Sequence, residues 1–412
     1  MKRVLVVGNG GREHAISDKL YREGHKVYMV GENPGVARIG TCIDIEEEKL
    51  ADFCKEKNID LVIIGPEAYL VDGLVDKLEK EGIRVFGPNK KASILEGSKA
   101  FAKDLMKKYD IPTATYEIFT DYKKALAYIE KSDFPLVIKA DGIAAGKGVI
   151  IAQNLDQGRK ALREIMVDQK FKGAGGSVVI EEFLEGEEFS LLALVSGDLV
   201  IPLRPVQDHK RAFDKDLGPN TGGMGVYMPI KSISDADIDE AIENILRPTA
   251  EAMTKEGRPF KGILFAGLMK TKDGVKTIEY NVRFGDPETE IILMDMETNL
   301  YDLIEAVLEG REVEIKWKDK AHIGVVLASK GYPEAYKKGF EIKGLDNLTS
   351  KVFHMGTKED DGKIITNGGR VLIVCAEGDD LKEARDKAYQ DIEKIKCDNL
   401  FFRTDIGHLS LK

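Results

Sequence analysis

Glu279, Asn281 and Arg283 stand at alternate positions in the run KTIEYNVRFGDPETE, Lys276 to Glu290. The first half of the run reads as a strand, with Thr277, Glu279, Asn281 and Arg283 on one face and Ile278, Tyr280 and Val282 on the other. A carboxylate and a carboxamide so placed present hard oxygens to one small ion. Mg2+ takes such oxygens and fills its remaining positions from nucleotide phosphate; Mn2+ accepts the same set. Arg283 adds a planar fork for a carboxylate or phosphate. Read alone, these residues could equally be the wet face of a half-exposed strand. A second stretch, Asp141–Gly148, joins an apolar strand, Leu136–Ala140, to another, Val149–Ala152. It is no Walker A loop, because a strand and not a helix follows Lys147. Its glycines, Gly146 and Gly148 among them, let backbone N–H groups approach a polyphosphate, while Lys147 and Lys139 supply charge.

Two further stretches could bind. Glu181-Glu182-Phe183-Leu184 leads through Glu185-Gly186-Glu187-Glu188 into a strand, Phe189–Val195. At a hinge between two lobes, the backbone around Glu181 and Leu184 could read an adenine edge and Glu188 could hold ribose hydroxyls. In isolation the same residues make an acidic exposed turn. Between a strand at Leu199–Gln207 and a helix at Asp235–Lys255, the stretch Asp208–Gly225 reads as a long irregular loop. So long a loop inside a domain is usually functional. It mixes cations, carboxylates and glycines, which suits phosphate approach and amine recognition.

The elements that must position these groups can be read outward from them. Asp273-Gly274 is a hairpin signal, so Gly267–Lys272 and Val275–Arg283 should pair antiparallel. Pro287 can open a helix at its first position. In the first hundred residues, strands at Val4–Val7, Lys26–Val30, Leu61–Ile64 and Arg84–Phe86 alternate with helices reaching Leu20 and over Glu46–Lys57 and Leu70–Glu81. That alternation predicts a parallel sheet with ligands at the carboxyl ends of its strands. Gly8-x-Gly10 lacks the third glycine of a dinucleotide fingerprint, since position 13 is Glu13, which argues against NAD. What remains is a glycine turn before a helix N-terminus, a general anion site, although the turn by itself needs no ligand. Glu67 and Asp72 either favour a helix dipole or grip sugar hydroxyls or an amine. His14 and His25 read as surface or packing residues. A boundary falls before a helix at Lys99–Tyr109. Towards the C-terminus, strands at His322–Ser329, Lys351–Met355, Ile364–Thr366 and Val371–Ala376 and a helix at Leu381–Ile395 make an α+β lobe. There His354 and the turn Gly368-Gly369-Arg370 read as structural, and Arg403 and Asp405 as surface groups.

Composition narrows the class. At 412 residues, two to four domains are expected. A net charge of −10 over that length argues against a general nucleic-acid binder. The four cysteines form no C-x-x-C pair, which fits a reducing, cytoplasmic setting without structural zinc. The apolar run after Met1-Lys2-Arg3 is too short for a signal peptide, and no run approaches a membrane span. A monomer is expected.

Six segments carry a resemblance: VVGNGGREHAI at Val6–Ile16, GPEAYLVDGLVD at Gly65–Asp76, KADGIAAGKGV at Lys139–Val149, EEFLEGEEFS at Glu181–Ser190, HKRAFDKDLGPNTGGMG at His209–Gly225 and EYNVRFGDPETE at Glu279–Glu290. Together they are similar to the phosphoribosylamine–glycine ligase family, the glycinamide ribonucleotide synthetases, within the ATP-grasp superfamily. The resemblance runs over essentially the whole chain. It implies an N-terminal parallel-sheet substrate domain (1–98), a two-lobed ATP-grasp domain (99–315) with a mobile lid at about 115–190, and a small α+β C-terminal domain (316–412). It implies ligation of glycine to 5-phosphoribosylamine with ATP, in de novo purine biosynthesis, through glycyl phosphate. It also implies roles by position. Glu279 and Asn281 resemble the metal ligands. Lys99, Lys139, Glu181, Leu184 and Glu188 resemble nucleotide contacts, and Gly146–Gly148 the phosphate lid. Gly10, Gly11 and Glu67 resemble phosphoribosyl contacts, Asp214 the amine partner, and Arg283 a group for substrate carboxylate or phosphate. One departure is visible: many members carry another acid on the strand before the Glu/Asn pair, and Leu264–Leu268 has none. The alternatives are another carboxylate–amine ligase of the same superfamily and a nucleotide-binding module without catalysis.

Overall fold

The computed structural model describes residues 1–143, 148–170, 174 and 176–411. The first hundred residues build a five-stranded parallel sheet in the order Thr41–Ile43, Lys26–Val30, Arg3–Val7, Leu61–Ile64, Val85–Phe86. Val4 to Val7 and Leu61 to Ile63 are fully buried, as strands covered on both faces must be. The edge strand Thr41–Ile43 is partly polar and only three residues long, so no apolar run announces it. Strand order reverses between Arg3–Val7 and Leu61–Ile64. Their carboxyl ends, Gly8–Gly10 and Gly65-Pro66, therefore flank a crevice. The helix expected over Leu70–Glu81 is two helices, Glu67–Asp72 and Leu74–Lys80, parted by Gly73 at φ 87°.

Two four-stranded antiparallel sheets follow. One runs Tyr116–Phe119, Val178–Glu182, Leu136–Ala140, Val149–Ala152. The other runs Leu199–Pro202, Glu187–Ser196, Lys261–Thr271, Gly274–Asn281. The first has its own core around Ala125, Ile138, Leu162 and Ile180. The second shares a core with the N-terminal sheet, where Leu5 and Val62 join Phe189, Leu264 and Tyr280.

Two expectations about the middle of the chain are corrected. The strand begun at Leu199 stops at Pro202, and the chain crosses to another sheet at Gln207–Asp208. Pro202 ends the strand and Pro205 lies in the gap, and proline cannot donate to a central ladder. The stretch Asp208–Gly225 is not irregular. Arg211–Phe213 and Leu217–Asn220 form a two-stranded hairpin turning through Asp214–Asp216, and Gly225–Met228 is a strand of the C-terminal sheet. That sheet runs Gln207–Asp208, Gly225–Met228, Ala321–Ser329, Arg370–Gly378, Lys351–His354, with Leu400–Phe401 paired to Ala321–Ser329. The helix Leu381–Ile392 packs on it, capped by the Asp380 side chain.

Candidate functional site

The hairpin carrying Glu279 contains a bulge. Gly267 pairs with Glu279 but Leu268 pairs with Thr277, so Ile278 is the extra residue. A bulge shifts the alternation by one. Glu279, Asn281 and Arg283 keep one face, as expected, but Thr277 is fully buried on the other side of the irregularity, not beside Glu279. The Ile278 carbonyl accepts a hydrogen bond from Lys139 Nζ at 3.0 Å. Pro287 precedes the helix Glu288–Asp295 as its N-cap, one residue earlier than expected.

Lys139 is fixed from two sides, since its Nζ also lies 2.8 Å from Glu181 Oε1. Glu181 Oε2 lies 2.8 Å from Lys103 Nζ, and all three side chains are under 5% exposed. Glu181 sits on the central strand of its sheet, paired with both Tyr116 and Val137. Its backbone is thus committed to the sheet, and its carboxylate to two lysines. The part of the hinge outside the ladder is Phe183-Leu184, with Leu184 half-buried. Lys99, on the first turn of the helix Lys99–Lys108, donates to the Gly142 carbonyl at 2.9 Å. Asp141 ties this helix start to the glycine loop, accepting from Ser98 Oγ at 3.1 Å, Ala100 N–H at 3.2 Å and Ser177 Oγ at 2.8 Å. Gly148 follows, its carbonyl accepting from Ala140 N–H at 2.8 Å. Gly146 and Lys147 lie outside the described residues.

Burial works against the charged form of Glu279, but Lys210, Lys139, Lys99 and Arg283 outweigh it and hold the carboxyl below its usual range. Lys210 is ion-paired with Glu188. Burial and the nearby Glu188 push Asp208 up to about 6, against the pull of Lys210; burial and Asp208 push Glu288 up to about 8. Arg283 is enclosed by acceptors: Asn281 Oδ1 at 3.0 Å, Glu67 Oε2 at 3.3 Å and Glu96 Oε1 at 3.4 Å. It therefore clamps the helices Glu67–Asp72 and Lys90–Gly97 to the Glu/Asn strand, and its fork is largely occupied. The donors in this corner that suit a divalent ion are the hard oxygens of Glu279 and Asn281. Among the described residues no group of three or more His, Cys, Asp or Glu could hold a metal, so protein oxygens alone would not complete a shell.

A cleft of about 330 Å3 opens at the switch point of the N-terminal sheet, with Gly10, Arg12, Glu13, Asp286, Gly369 and Arg370 on its walls. Its helix N-terminus already meets carboxylates: Gly10 N–H donates to Glu13 Oε2 at 2.7 Å and Arg12 N–H to Asp286 Oδ2 at 3.4 Å. Gly11, the helix's first residue, is buried, and a Cβ there would stand 2.5 Å from Glu290 Oε1. Arg370, read from the sequence as part of a plain turn, pairs with Asp286 Oδ1 at 2.8 Å and donates to the Gly222 carbonyl at 2.7 Å.

The Asp214 carboxylate, expected to meet the amine, accepts from Thr404 N–H at 2.8 Å and from the Thr404 hydroxyl. One reading of the C-terminal side is corrected. Arg403 is no surface group: its side chain is 0% exposed and bonds Asp216 and Asp405. Sequence reasoning also passed over Lys103, Asp141, Glu96 and Lys210. Lys103 carried a signal, since it lies four residues after Lys99 on one helix. The other pairings are long-range and carried none.

A parallel-sheet domain, two antiparallel sheets and a lysine-lined Glu/Asn strand define the ATP-grasp class. Models of the phosphoribosylglycinamide synthetase N domain, ATP-grasp (A) domain and C domain match residues 2–96, 97–289 and 322–409. The chain is 50% identical over 411 residues to the phosphoribosylamine–glycine ligase of Halalkalibacterium halodurans, covering 98% of this chain and 96% of that one. It is 46% identical to that of Caldanaerobacter subterraneus, covering 98% and 99%. The crystal structure of the Thermotoga maritima phosphoribosylamine–glycine ligase superposes with a TM-score of 0.88 at 38% identity, over 98% of this chain and 99% of that one. The biotin carboxylase of Campylobacter jejuni, at 14% identity and TM-score 0.73, covering 100% and 94%, shares the fold. The chain belongs to the phosphoribosylglycinamide synthetase (phosphoribosylamine–glycine ligase) family of ATP-grasp enzymes.

Proposed function

We propose that the chain condenses glycine with 5-phosphoribosylamine, converting ATP to ADP and phosphate and yielding glycinamide ribonucleotide for purine synthesis. One observation carries the reading of the site: the Glu279 carboxylate lies in the field of Lys210, Lys139, Lys99 and Arg283. A bare divalent ion is repelled by such a corner. A triphosphate, with four negative charges, is drawn to it and brings Mg2+ or Mn2+ along. Glu279 and Asn281 would hold that metal, which would neutralise charge on the phosphates during transfer.

Glycine's carboxylate is a poor electrophile, and its oxygen takes the γ-phosphoryl group to give an acyl phosphate and ADP. Such transfer is helped mainly by positioning and by charge. That part falls to Lys139 and Lys99, with Lys147 and Gly146–Gly148 as the lid. The backbone at Leu184 meets the adenine, just beyond Glu181. Glu188 gives Oε1 to Lys210 and Oε2 to a ribose hydroxyl. The phosphoribosyl group occupies the cleft at Gly10 and Gly11, between Arg12 and Arg370, with Glu67 beside it. The amine nitrogen then attacks the acyl carbon, phosphate leaves, and a proton is lost from nitrogen. Arg283 shapes this junction rather than offering a free fork, and Asp214 serves the hairpin rather than the amine. We assign the domains as 1–98, 99–315 with a lid at about 115–190, and 316–412.

All four cysteines are free. No helix of the described residues is long and apolar enough to cross a membrane.

ADP release should require Mg2+, glycine and freshly made phosphoribosylamine together, with glycinamide ribonucleotide as product. Turnover that accepts another acid in place of glycine, or none with every component present, would discard the substrate assignment.

A further inference from the structure

The hairpin Arg211–Asn220 is a two-stranded sheet with no third strand among the described residues. Such a hairpin is marginal in water without packing against something else. Its tip is also conformationally costly, because Lys215 and Asp216 both take left-handed backbone at φ 60° and 53°. Non-glycine residues hold that conformation only where their surroundings over-determine it.

The surroundings are the segment Arg403–Gly407. Arg403 Nη1 donates to Asp216 Oδ1 at 2.8 Å and to the Arg211 carbonyl at 3.1 Å, so one guanidinium grips both tip and base. Asp405 orients that guanidinium through Nε at 2.8 Å and accepts from Lys215 N–H at 2.7 Å. Thr404 takes the Asp214 carboxylate, and Gly407 N–H donates to His209 Nε2 at 3.1 Å. Every residue from Asp214 to Asp216 is thus bonded to this segment. A fully buried guanidinium is tolerated only with its donors met, so Arg403 is committed to this geometry. The residue before Arg211 is Lys210, which is paired with Glu188 and is one of the cations that hold the Glu279 carboxyl down. Its carbonyl is fixed by Thr221 N–H at 2.7 Å and Thr221 Oγ1 at 2.8 Å across the hairpin's base.

We propose that Arg403 is a positioning residue: the C-terminal segment Arg403–Gly407 locks the 211–220 hairpin and thereby sets Lys210 against the Glu279 corner. The role of Lys210 there rests on the functional reading above; the lock itself does not.

The test compares the intact protein with Arg403→Met, which keeps the side-chain bulk and removes the fork. Native trypsin should cut after Arg211 and Lys215 at least tenfold faster in the variant. With ATP, glycine and phosphoribosylamine, kcat should fall at least tenfold, and by clearly more than the ADP dissociation constant rises. Thr404→Val, exposed and of the same shape, covers the case in which Arg403→Met does not fold. It should raise hairpin cleavage about threefold. Cleavage at the wild-type rate overturns the lock. Faster cleavage with kcat within twofold of wild type overturns the positioning of Lys210. ADP affinity falling in step with kcat shows general loss of structure and overturns it too. A wild type without turnover would discard the substrate reading, and cleavage rates would still decide the lock.

Discussion

A carboxylate surrounded by lysines is a peculiar place for a metal, and the peculiarity makes a prediction. Glu279 is the acid the cations converge on, so on the proposed function removing its charge would strip the metal of its carboxylate but leave the phosphates their lysines. Glu279→Gln should lower turnover by at least ~100-fold, the scale of losing one charge-stabilising group at a phosphoryl-transfer site. ADP binding without metal should be equal or tighter, and calorimetry with and without Mg2+ would separate the two effects. Weaker metal-free binding would mean that Glu279 contacts the nucleotide directly. Lys103 makes a second prediction. Burial pushes it down to about 8, against the pull of Glu181, so above that pH it loses its proton in the folded protein. Glu181 would then bear on Lys139 alone. kcat/KM for ATP should decline as pH rises through about 8. In Lys103→Arg, whose charge persists across this range, the decline should vanish. Glu279, Asn281 and Lys139 could be picked out as candidates because their types and local spacing suffice for that. The Lys103–Glu181–Lys139 chain could not be, because it joins three elements whose packing no short window encodes.

Elements place these residues through features that are partly local and partly not. Ser98 as the cap of the helix Lys99–Lys108 is local, and its side chain accepts from Phe101 N–H at 3.1 Å. The fixing of that cap by Asp141 is not local. Asp141→Ala removes an acceptor serving three donors from two segments. Such charge-assisted bonds contribute about 1.5–3 kcal/mol each in favourable settings, and the half-buried position with non-additive losses argues for about 2 kcal/mol in all. Urea unfolding should show that loss, and the KM for ATP should rise at least tenfold because Lys99 and the loop start move apart. A KM within twofold of wild type would show that the two are positioned independently. The apolar strands and amphipathic helices were legible from periodicity. The bulge at Ile278 was not, since it exists only as a mismatch with Lys261–Thr271, and neither was the hairpin Arg211–Asn220. Its strands are three and four residues long and contain Gly218 and Pro219, the composition of a loop. What makes it a hairpin lies almost two hundred residues further on.

In the whole molecule, the C-terminal domain packs against the N-terminal helix Gly11–Arg22 through the strand Lys351–His354. His354 N–H donates to His14 Nδ1 at 2.9 Å, and the two rings lie 5.6 Å apart beside Phe353. Neither histidine can be charged without cost in that contact. Burial pushes His354 down to about 4, and burial with the neighbouring His354 drives His14 well below its usual value. The sign follows from proton counting. Between about pH 6.5 and 4 the unfolded chain binds a proton at His354 that the folded chain does not, so folding weakens as pH falls through that window and the loss is complete below it. One such proton changes stability by about 1.4 kcal/mol per pH unit inside the window. His354→Gln cannot titrate and is shaped to keep a polar contact with Thr357 Oγ1, which the ring meets at 2.8 Å. Unfolding free energy from denaturant titrations at pH 6.5, 5.5 and 4.5 should fall less steeply in His354→Gln, by about one proton's worth. Hydrogen exchange should show Lys351–His354 opening first in the wild type as pH falls. Parallel pH slopes in the two proteins would place the acid sensitivity elsewhere and leave this interface indifferent to protonation.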